Sequence, residues 1–549
     1  MRSVPEKETL TVEFKSDRKC LKDSILVDEV TGMSNTKGGE LYLGVEDDGT
    51  ITGVHVNHKD EIGVTAMIGN RTVPPVPVRA ELIEEEGTDV LKISIPVSRA
   101  IISTSEGKIL RRRLKVDGSP EVVPMRPNEM VSRLTDLGLL DYSASIVEEA
   151  TAADLDPVER KRLRRLISDH HGEPALLELD DEELDKALGL QRNGHPTITG
   201  LLLIGREESL KRYIPTYEAS FQVLEGTKVR MNEDLRKPIL ALFEDFYQRF
   251  SSFNPEDEIQ RKMQRIPIPE FSEMAFREAL VNAFAHRDYS RLGRARVAIE
   301  EEGLTISSPG GFVEDITWQN LLTAEPRSRN PQLADALKRI GLAERTGRGI
   351  DRIFEGSIQY GRPLPDYSES NSSSVRLFIP RHKADYGFVN MLLSYQEEKG
   401  RRIPIYAQLI LSVLLQQHRL TLGEIIRQTH IGEARIRKHA EQLVEDGIIE
   451  GKGAGPNRSY ILSPRVYTAR DNLYGYIRQN AAEAETEKNM VLRMAEETGT
   501  GISRKDVCSL IRMSAQQAYH LLQELVQEGK LEVRGKGRGT RYYFTAQEV

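Results

Sequence analysis

The C-terminal part of this 549-residue chain repeats itself. LTLGEIIRQTHIGEARI, from Leu420, lies over ISRKDVCSLIRMSAQQA, from Ile502, at an offset of 82 residues. At the same offset, QLVEDGIIEGKGAGPNRSYIL, from Gln442, lies over ELVQEGKLEVRGKGRGTRYYF, from Glu524, without a gap. Two ungapped copies are two examples of one supersecondary unit. Each copy predicts a helix, a short turn, a second helix and a two-stranded hairpin with a glycine-rich tip. Leu443, Val444 and Ile449, with their counterparts Leu525, Val526 and Leu531, supply the apolar side of the last helix and first strand. Gly447 and Gly529 stand where a helix end calls for a left-handed residue. The tips, Gly451 to Gly455 and Arg534 to Gly539, suit flexible basic loops that follow a phosphate backbone.

This arrangement resembles the winged helix-turn-helix family over nearly all of residues 404–547, divided as 404–465 and 486–549. The copies differ in charge. The recognition-helix segment of the first holds Arg435, Arg437, Lys438 and His439, whereas Ser514 to Glu528 in the second holds no Lys or Arg. The expected nucleic-acid contacts are therefore Arg435, Arg437 and Lys438 from the first helix, and Arg534, Lys536 and Arg538 from the second wing. Winged helices also serve as protein–protein modules, and that alternative stays open.

A chain of this length exceeds one core and predicts several domains. With 39% hydrophobic and 29% charged residues the composition is that of a globular protein. No long apolar run predicts a membrane span, and the polar start MRSVPEKETL holds no apolar signal core. Cys20 and Cys508 are too far apart in sequence for a disulfide framework or a CxxC zinc site, which fits a reducing, cytoplasmic setting. The formal net charge of -8 excludes a generally basic coat, so nucleic acid must meet local patches. Two are visible: Arg111, Arg112 and Arg113 with Lys115, and the run Arg534 to Arg541. Each is equally readable as a solvated face.

In FREALVNAFAHRDYSR, residues 276–291, Phe276, Leu280, Ala283 and Phe284 make one helical stripe. Glu278, Asn282 and His286 recur every four residues on another face, which needs either solvent or a ligand. Downstream come the strand-like LTISS before Pro309-Gly310-Gly311, then RSRNP from Arg327, then ERTGRGIDRI with Gly347 and Gly349 opening a helix. Glycines before a helix let backbone N–H groups approach a phosphate. No GxxxxGK[ST] is present, so nucleotide binding does not use a P-loop. The four motifs in this order resemble the RecG-related branch of the GHKL ATPases, across about residues 200–380. The resemblance implies a GHKL-like α/β sandwich at 196–384 that binds ATP. Glu278 would orient the attacking water, Asn282 would hold Mg²⁺, and His286, Ser308, Gly310, Gly347 and Gly349 would line the nucleotide. The family usually places an Asp, which reads the adenine amino group, where this chain has Ser308. Serine accepts a hydrogen bond but carries no charge, so binding without turnover is also compatible.

At the N-terminus, ETLTVEFKSD is followed by a helical stretch from Leu21 to Asn35, the turn Asn35 to Gly39, the strand ELYLGVE, and Asp47-Asp48-Gly49. Leu10, Val12 and Phe14 alternate on one strand face, with Thr11, Glu13 and Lys15 on the other. The constellation resembles the Schlafen AlbA-type domain over residues 5–55 and on to about 135. In nuclease members two Glu and one Asp gather a divalent ion near a Lys. By position these are Glu8, Glu13, Asp47 and Lys15, with Asp48 the alternative third ligand; Mg²⁺ or Mn²⁺ would activate water for phosphodiester cleavage. Glu8 and Glu13 are an odd number apart, so a straight strand would separate them, and the reading needs Glu8 before the strand or a bulge. The zinc-ligand clusters of some relatives are missing. Residues 136–195 read as a helical connector, 385–403 as a linker, and Tyr467 to Asn489 as a helical spacer.

The chain is thus expected to be an α/β multidomain protein: a mixed α/β Schlafen AlbA-type domain at 1–135, the GHKL-like sandwich, and two winged helices. The resemblances imply binding of ATP and of DNA or RNA (tRNA among them), self-association as a homo-oligomer, and a metal-dependent nuclease centre serving defence or stress. The alternative is a non-enzymatic, ATP-sensing transcriptional regulator.

Overall fold

The computed structural model describes residues 4–115, 117–261, 264–313, 315–344, 347–417, 419–453, 458–469, 487–511, 515–535 and 540–545. Lys536 and Arg538, and most of the spacer expected between Tyr467 and Asn489, lie outside the described residues. The chain forms two compact units: one of Met1–Ser145, Asp288–Leu292 and Arg329–Gln332, the other of Ile146–Arg287, Gly293–Ser328 and Leu333–Val549.

The first unit is built on a four-stranded sheet in the order Val12–Lys15, Gly39–Leu43, Thr88–Ile95, Arg79–Glu85. The first two strands are parallel, with Glu13 opposite Leu41, and helix Asp23–Ser34 makes the crossover that parallel pairing requires. The last two join through Glu86 and Gly87, both at positive φ, as a tight hairpin demands. Alternation sets the two faces: Leu41, Leu43, Leu91 and Ile93 pack on Leu26, Val30 and Met33, while Phe14, Tyr42, Val45 and Val90 form a core on the opposite side.

The Asn35 to Gly39 turn acts as a structural staple. The Asn35 amide donates to the carbonyls of Ile102 and Leu110 at 2.7 and 2.9 Å and accepts from the N–H of Ile102 at 2.8 Å. A Cβ on Gly39 would lie 2.0 Å from the carbonyl oxygen of Thr11, so only glycine admits that approach. The hairpin Leu110–Leu114 with Pro120–Pro124 lies over helix Asp23–Ser34 at Gly32.

The second unit centres on a five-stranded sheet in the order Lys228–Leu235, Ala219–Glu225, Ala295–Ile299, Gly303–Pro309, Ser374–Pro380. Only Ala219–Glu225 and Ala295–Ile299 run parallel; the other neighbours are antiparallel. Helices Ile239–Ser252, Glu273–Ala285 and Gly349–Ile358 pack together, with Phe250 stacked on Phe276 at 3.9 Å and Phe243 edge-on to Phe284 at 5.4 Å. The stretch expected as a linker after residue 384 is instead the helix Tyr386–Lys399, which buries Phe388, Val389, Met391 and Tyr395. Val389 packs with Ile259 and Ile268 of the hairpin Glu256–Arg261 and Gln264–Pro269, and this apolar stripe is why it folds rather than spans.

The repeat is kept element by element. Helices Leu422–Thr429 and Glu433–Glu445 correspond to Arg504–Ile511 and Ala515–Gln527, and strands Ile449–Lys452 and Ser459–Leu462 to Leu531–Arg534 and Arg541–Phe544, all at the offset of 82. Gly447 and Gly529 have φ of 69° and 71° at the helix ends. Helix Ile405–Gln417 precedes the first copy and Glu487–Thr498 the second. No described helix is long and apolar enough to cross a membrane.

Candidate nucleotide pocket and acidic centre

Helix Glu273–Ala285 starts at Ser272, whose hydroxyl accepts from the N–H of Ala275. It presents Glu278, Asn282 and His286 to a cavity of about 390 Å³. Ser308, Gly310, Gly347 and Gly349 line the same cavity, so all seven residues expected at the nucleotide come together there. Strand Gly303–Pro309 delivers Ser308, whose hydroxyl donates to the carbonyl of Ala283 at 2.5 Å. That donor is spent, leaving Ser308 as an acceptor. Gly310 follows with φ of 98° and turns the chain out of the sheet.

Helix Gly349–Ile358 begins at the cavity, and Arg348 at its N-cap makes no side-chain capping hydrogen bond. The first N–H groups of a helix have no acceptor within it, and with the helix dipole they suit an anionic group. A Cβ on Gly349 would meet Oε2 of Glu278 at 3.0 Å, so the glycine permits this helix to close on that carboxylate. Glu278 is 1% exposed. Burial raises its pKa, while Arg352 and Arg277 pull it back. Arg352 donates to its Oε1 at 3.1 Å and also pairs with Glu344. Arg327 and Lys338 add cationic lining. Arg352, Glu344 and Lys338 were not foreseen from the sequence. Arg352 lies three residues after Gly349, one turn on along the same helix, which was the available signal.

In the first unit, Glu8 lies before the strand rather than in it. Thr9 and Val12 exchange backbone hydrogen bonds of 3.0 and 3.4 Å around a tight turn, which removes the odd-spacing difficulty. The N–H of Phe14 donates to Glu8 at 3.0 Å. Burial raises the pKa of Glu8, and the neighbouring charges of Glu13 and Asp47 push it the same way while Lys15 opposes them. Glu13 is buried and pairs with both Lys15 and Arg112. Glu29, which the sequence analysis passed over, pairs with Lys15 at 3.3 Å and Arg112 at 3.5 Å. It occupies the core-facing stripe of its helix with Leu26, Val30 and Met33, and a charge in that stripe was the clue. Lys15 loses solvation by burial, but Glu29 and Glu13 outweigh this and raise its pKa.

Two expectations are corrected here. Arg112 is not a nucleic-acid contact: its side chain is 1% exposed, and its guanidinium donates to the carbonyls of Thr9 and Val12 at 2.9 Å each. Strand alternation turns it inward while Arg111 and Arg113 point out, paired with Glu129 at 2.6 Å and Glu121 at 2.7 Å. Second, the oxygens of Glu8, Glu13 and Asp47 do not gather as an ion cage. Among the described residues the one group of ligand atoms lying within 4.8 Å of one another is Asp17, Cys20 and His58. The expected trio does not form such a group: Glu13 is paired with Lys15 and Arg112, and Asp47 lies in the exposed turn. In the group of Asp17, Cys20 and His58, the Asp17 carboxylate also takes the N–H groups of Leu21 and His55 at 2.7 and 2.8 Å and lies 2.9 Å from His58 Nδ1, so it ties three parts of the chain together.

In the repeats, Arg435, Arg437 and Lys438 are exposed on helix Glu433–Glu445. Arg437 pairs with Glu433 on the same helix. Arg435 stacks on the Tyr406 ring at 4.7 Å. Arg534 is exposed beside the Tyr543 ring at 4.8 Å and pairs with Glu532 at 2.9 Å.

Residues 8–116 match the family Schlafen, AlbA_2. Residues 294–379 match the family described as "Putative ATP-dependent DNA helicase recG C-terminal"; this span holds Ser308, Gly310, Gly347 and Gly349, while Glu278 and Asn282 precede it. Residues 134–220 match a domain of unknown function, DUF8451. No curated protein matches the chain. A solved structure, the DIP2311 protein from Corynebacterium diphtheriae, is 22% identical, with 84% of this chain and 93% of that chain covered and a TM-score of 0.50, a likeness of fold. Another, described as a transcriptional regulator, is 18% identical over 25% of this chain and 92% of that one, with a TM-score of 0.12, too low to bear on the fold. The chain accordingly carries a segment that matches Schlafen AlbA_2 at residues 8–116 and a segment that matches the recG C-terminal family at residues 294–379.

Proposed function

We propose that this is an ATP-binding protein that works on nucleic acid, and that its C-terminal repeats are winged helices which contact DNA. The convergence of Glu278, Asn282, His286, Ser308 and three glycines on one cavity at an uncapped helix start carries this reading. The cavity is of a size that suits a nucleotide. The helix start would meet phosphate, and Ser308 would accept from the adenine amino group. The amide oxygen of Asn282 is a hard donor of the kind Mg²⁺ takes, and bound Mg²⁺ would neutralise phosphate charge. Glu278 would orient water. The exposed Arg435, Arg437 and Lys438 give the first repeat its contact surface. Self-association and a cytoplasmic setting are part of the same proposal.

The test is nucleotide-induced thermal stabilisation of the full chain. Mg–ATP should raise the melting temperature, and Asn282→Ala should abolish the shift. An unchanged shift in that variant removes this assignment of the pocket.

A second reading is nucleic-acid cleavage at Glu8, Glu13 and Asp47. The mutual electrostatic influence of these carboxylates favours it; the lock of Lys15 and Arg112 on Glu13 opposes it. Labelled tRNA, single-stranded DNA and duplex DNA incubated with Mn²⁺ or Mg²⁺, with and without ATP, decide the matter. Metal-dependent cleavage lost in Glu13→Ala supports cutting. Intact substrates with a retained duplex leave the ATP-sensing DNA binder.

A further inference from the structure

We propose that the loop roofing the nucleotide cavity holds the DNA-facing helix of the first repeat through Tyr406, so that ATP binding releases Arg435 and tightens the grip on DNA. This rests on the function proposed above and names how its two sites are coupled.

The loop of residues 315–328 has two sides. On one, Leu321, Leu322, Pro326 and Arg327 line the nucleotide cavity. On the other, Trp318, Leu321 and Leu322 border a second cavity of about 240 Å³ whose far wall is Leu409, Thr429 and His430 of the first repeat. Both cavities lie within the second compact unit. Leu321 and Leu322 therefore form a partition between nucleotide and repeat.

Two contacts fasten the loop to the repeat. The Trp318 ring meets His430 edge-on at 5.0 Å, at the end of helix Leu422–Thr429. The Tyr406 hydroxyl donates to the backbone carbonyl of Leu322 at 3.3 Å. That hydroxyl also accepts from Arg435 at 3.0 Å, the guanidinium lies 4.7 Å from the Tyr406 ring centre, and His439 sits 5.7 Å from it. One side chain thus separates the roof of the nucleotide cavity from two residues on the exposed face of the recognition helix. A parallel route runs along helix Gly349–Ile358: its first residues line the nucleotide cavity, and Phe354 reaches the second cavity beside Leu409.

The second repeat provides an internal control. At the offset of 82, Tyr406 corresponds to Lys488 and Arg435 to Gln517. Lys488 pairs with Glu524 and Glu528 at 2.5 and 2.6 Å, so the aromatic bridge is peculiar to the copy that faces the roof. Packing of the repeat alone does not call for it.

The direction follows from the side of the loop a nucleotide would touch. Phosphate attraction for Arg327 draws the loop towards the cavity and withdraws the Leu322 carbonyl from Tyr406. The ring is then no longer pinned, and Arg435 is free to meet a backbone phosphate. Because coupling between binding sites is reciprocal, DNA must tighten ATP by the same factor.

The experiment uses the full chain, Mg–ATP, and a labelled mixed-sequence DNA duplex followed by fluorescence anisotropy. Saturating Mg–ATP should lower the duplex Kd about tenfold, equivalent to about 1.4 kcal/mol. Duplex should lower the ATP Kd by the same factor. Tyr406→Phe, which deletes only the bridging hydroxyl, should reduce the coupling to under threefold, with ATP and duplex each already bound more tightly in the absence of the other. Trp318→Ala should weaken the coupling independently. If ATP and duplex both bind but neither alters the other, if ATP weakens duplex binding, or if Tyr406→Phe keeps the full effect, the coupling is overturned. If either ligand fails to bind at all, the functional reading beneath it is what fails.

Discussion

Arg352 donates to Oε1 of Glu278 at 3.1 Å, and both side chains belong to helices that meet at the nucleotide cavity. The pair places a cation on a buried carboxylate that lines the cavity. Burial favours the neutral acid and Arg352 favours the anion; burial wins, so the pKa is raised. The folded chain holds its Glu278 proton more tightly than the unfolded chain does.

Glu278→Gln should therefore be stabilising in a pH-dependent way. Below the unfolded carboxylate range both forms are neutral and the variant gains nothing. As pH rises through the raised pKa, the wild type must ionise a buried group and loses stability that the variant keeps. Thermal melts from acid to neutral pH should show the gap widening upwards, with any ATP hydrolysis lost throughout. A gap that narrows as pH rises would contradict the assignment.

Asp136 offers a second pH signature. Burial pushes its pKa up to about 6, against the pull of Arg329, which lies 2.7 Å away. Its contribution to stability is present below about pH 4 and is lost as pH rises towards 6, the reverse of an ordinary paired carboxylate. Relative to Asp136→Asn, the wild type should lose on the order of 2 kcal/mol across that window, measured by denaturant melts at stepped pH.

Arg112 and Arg113 are neighbours with opposite fates. Arg112→Met leaves Glu13 and Glu29 buried without their guanidinium and should cost about 3–5 kcal/mol. Arg113→Ala removes an exposed pair with Glu121 and should cost about 0–1 kcal/mol. Calorimetry of the full chain should show one transition shifted strongly down by the first change and little moved by the second.

Gly349→Ala places a methyl group 3.0 Å from the Glu278 carboxylate. Either the helix start or Glu278 must shift. ATP-induced thermal stabilisation should fall by at least half, while the melting temperature without nucleotide changes by only a few degrees. Isothermal titration with Mg–ATP checks the affinity directly.

Much of this was legible in the sequence because local rules carried it. The ungapped repeat foretold the two helices and the hairpin of each copy, though not the added strand Arg419–Thr421, and the four-residue spacing of Glu278, Asn282 and His286 put them on one face. What escaped was decided at a distance. Nothing local in RRRLK says that Arg112 turns inward, since strand phase is set by the helix it packs against. Glu29 and Arg352 each left a local signal, but the partners that give them meaning, Arg112 and Glu278, lie far off in the chain. The helix after residue 384 was missed because its apolar stripe is answered by Ile259 and Ile268, more than a hundred residues earlier.

The guanidinium that fixes the Thr9–Val12 turn comes from residue 112, separated from Thr9 by 103 positions. At a synthesis rate of about 10 residues per second, some 10 seconds pass on the ribosome before that clamp exists. The Thr9–Val12 turn is thus among the last parts of its domain to be completed, and a nascent chain halted before residue 112 carries Glu8 and Glu13 on either side of it without the guanidinium that holds it.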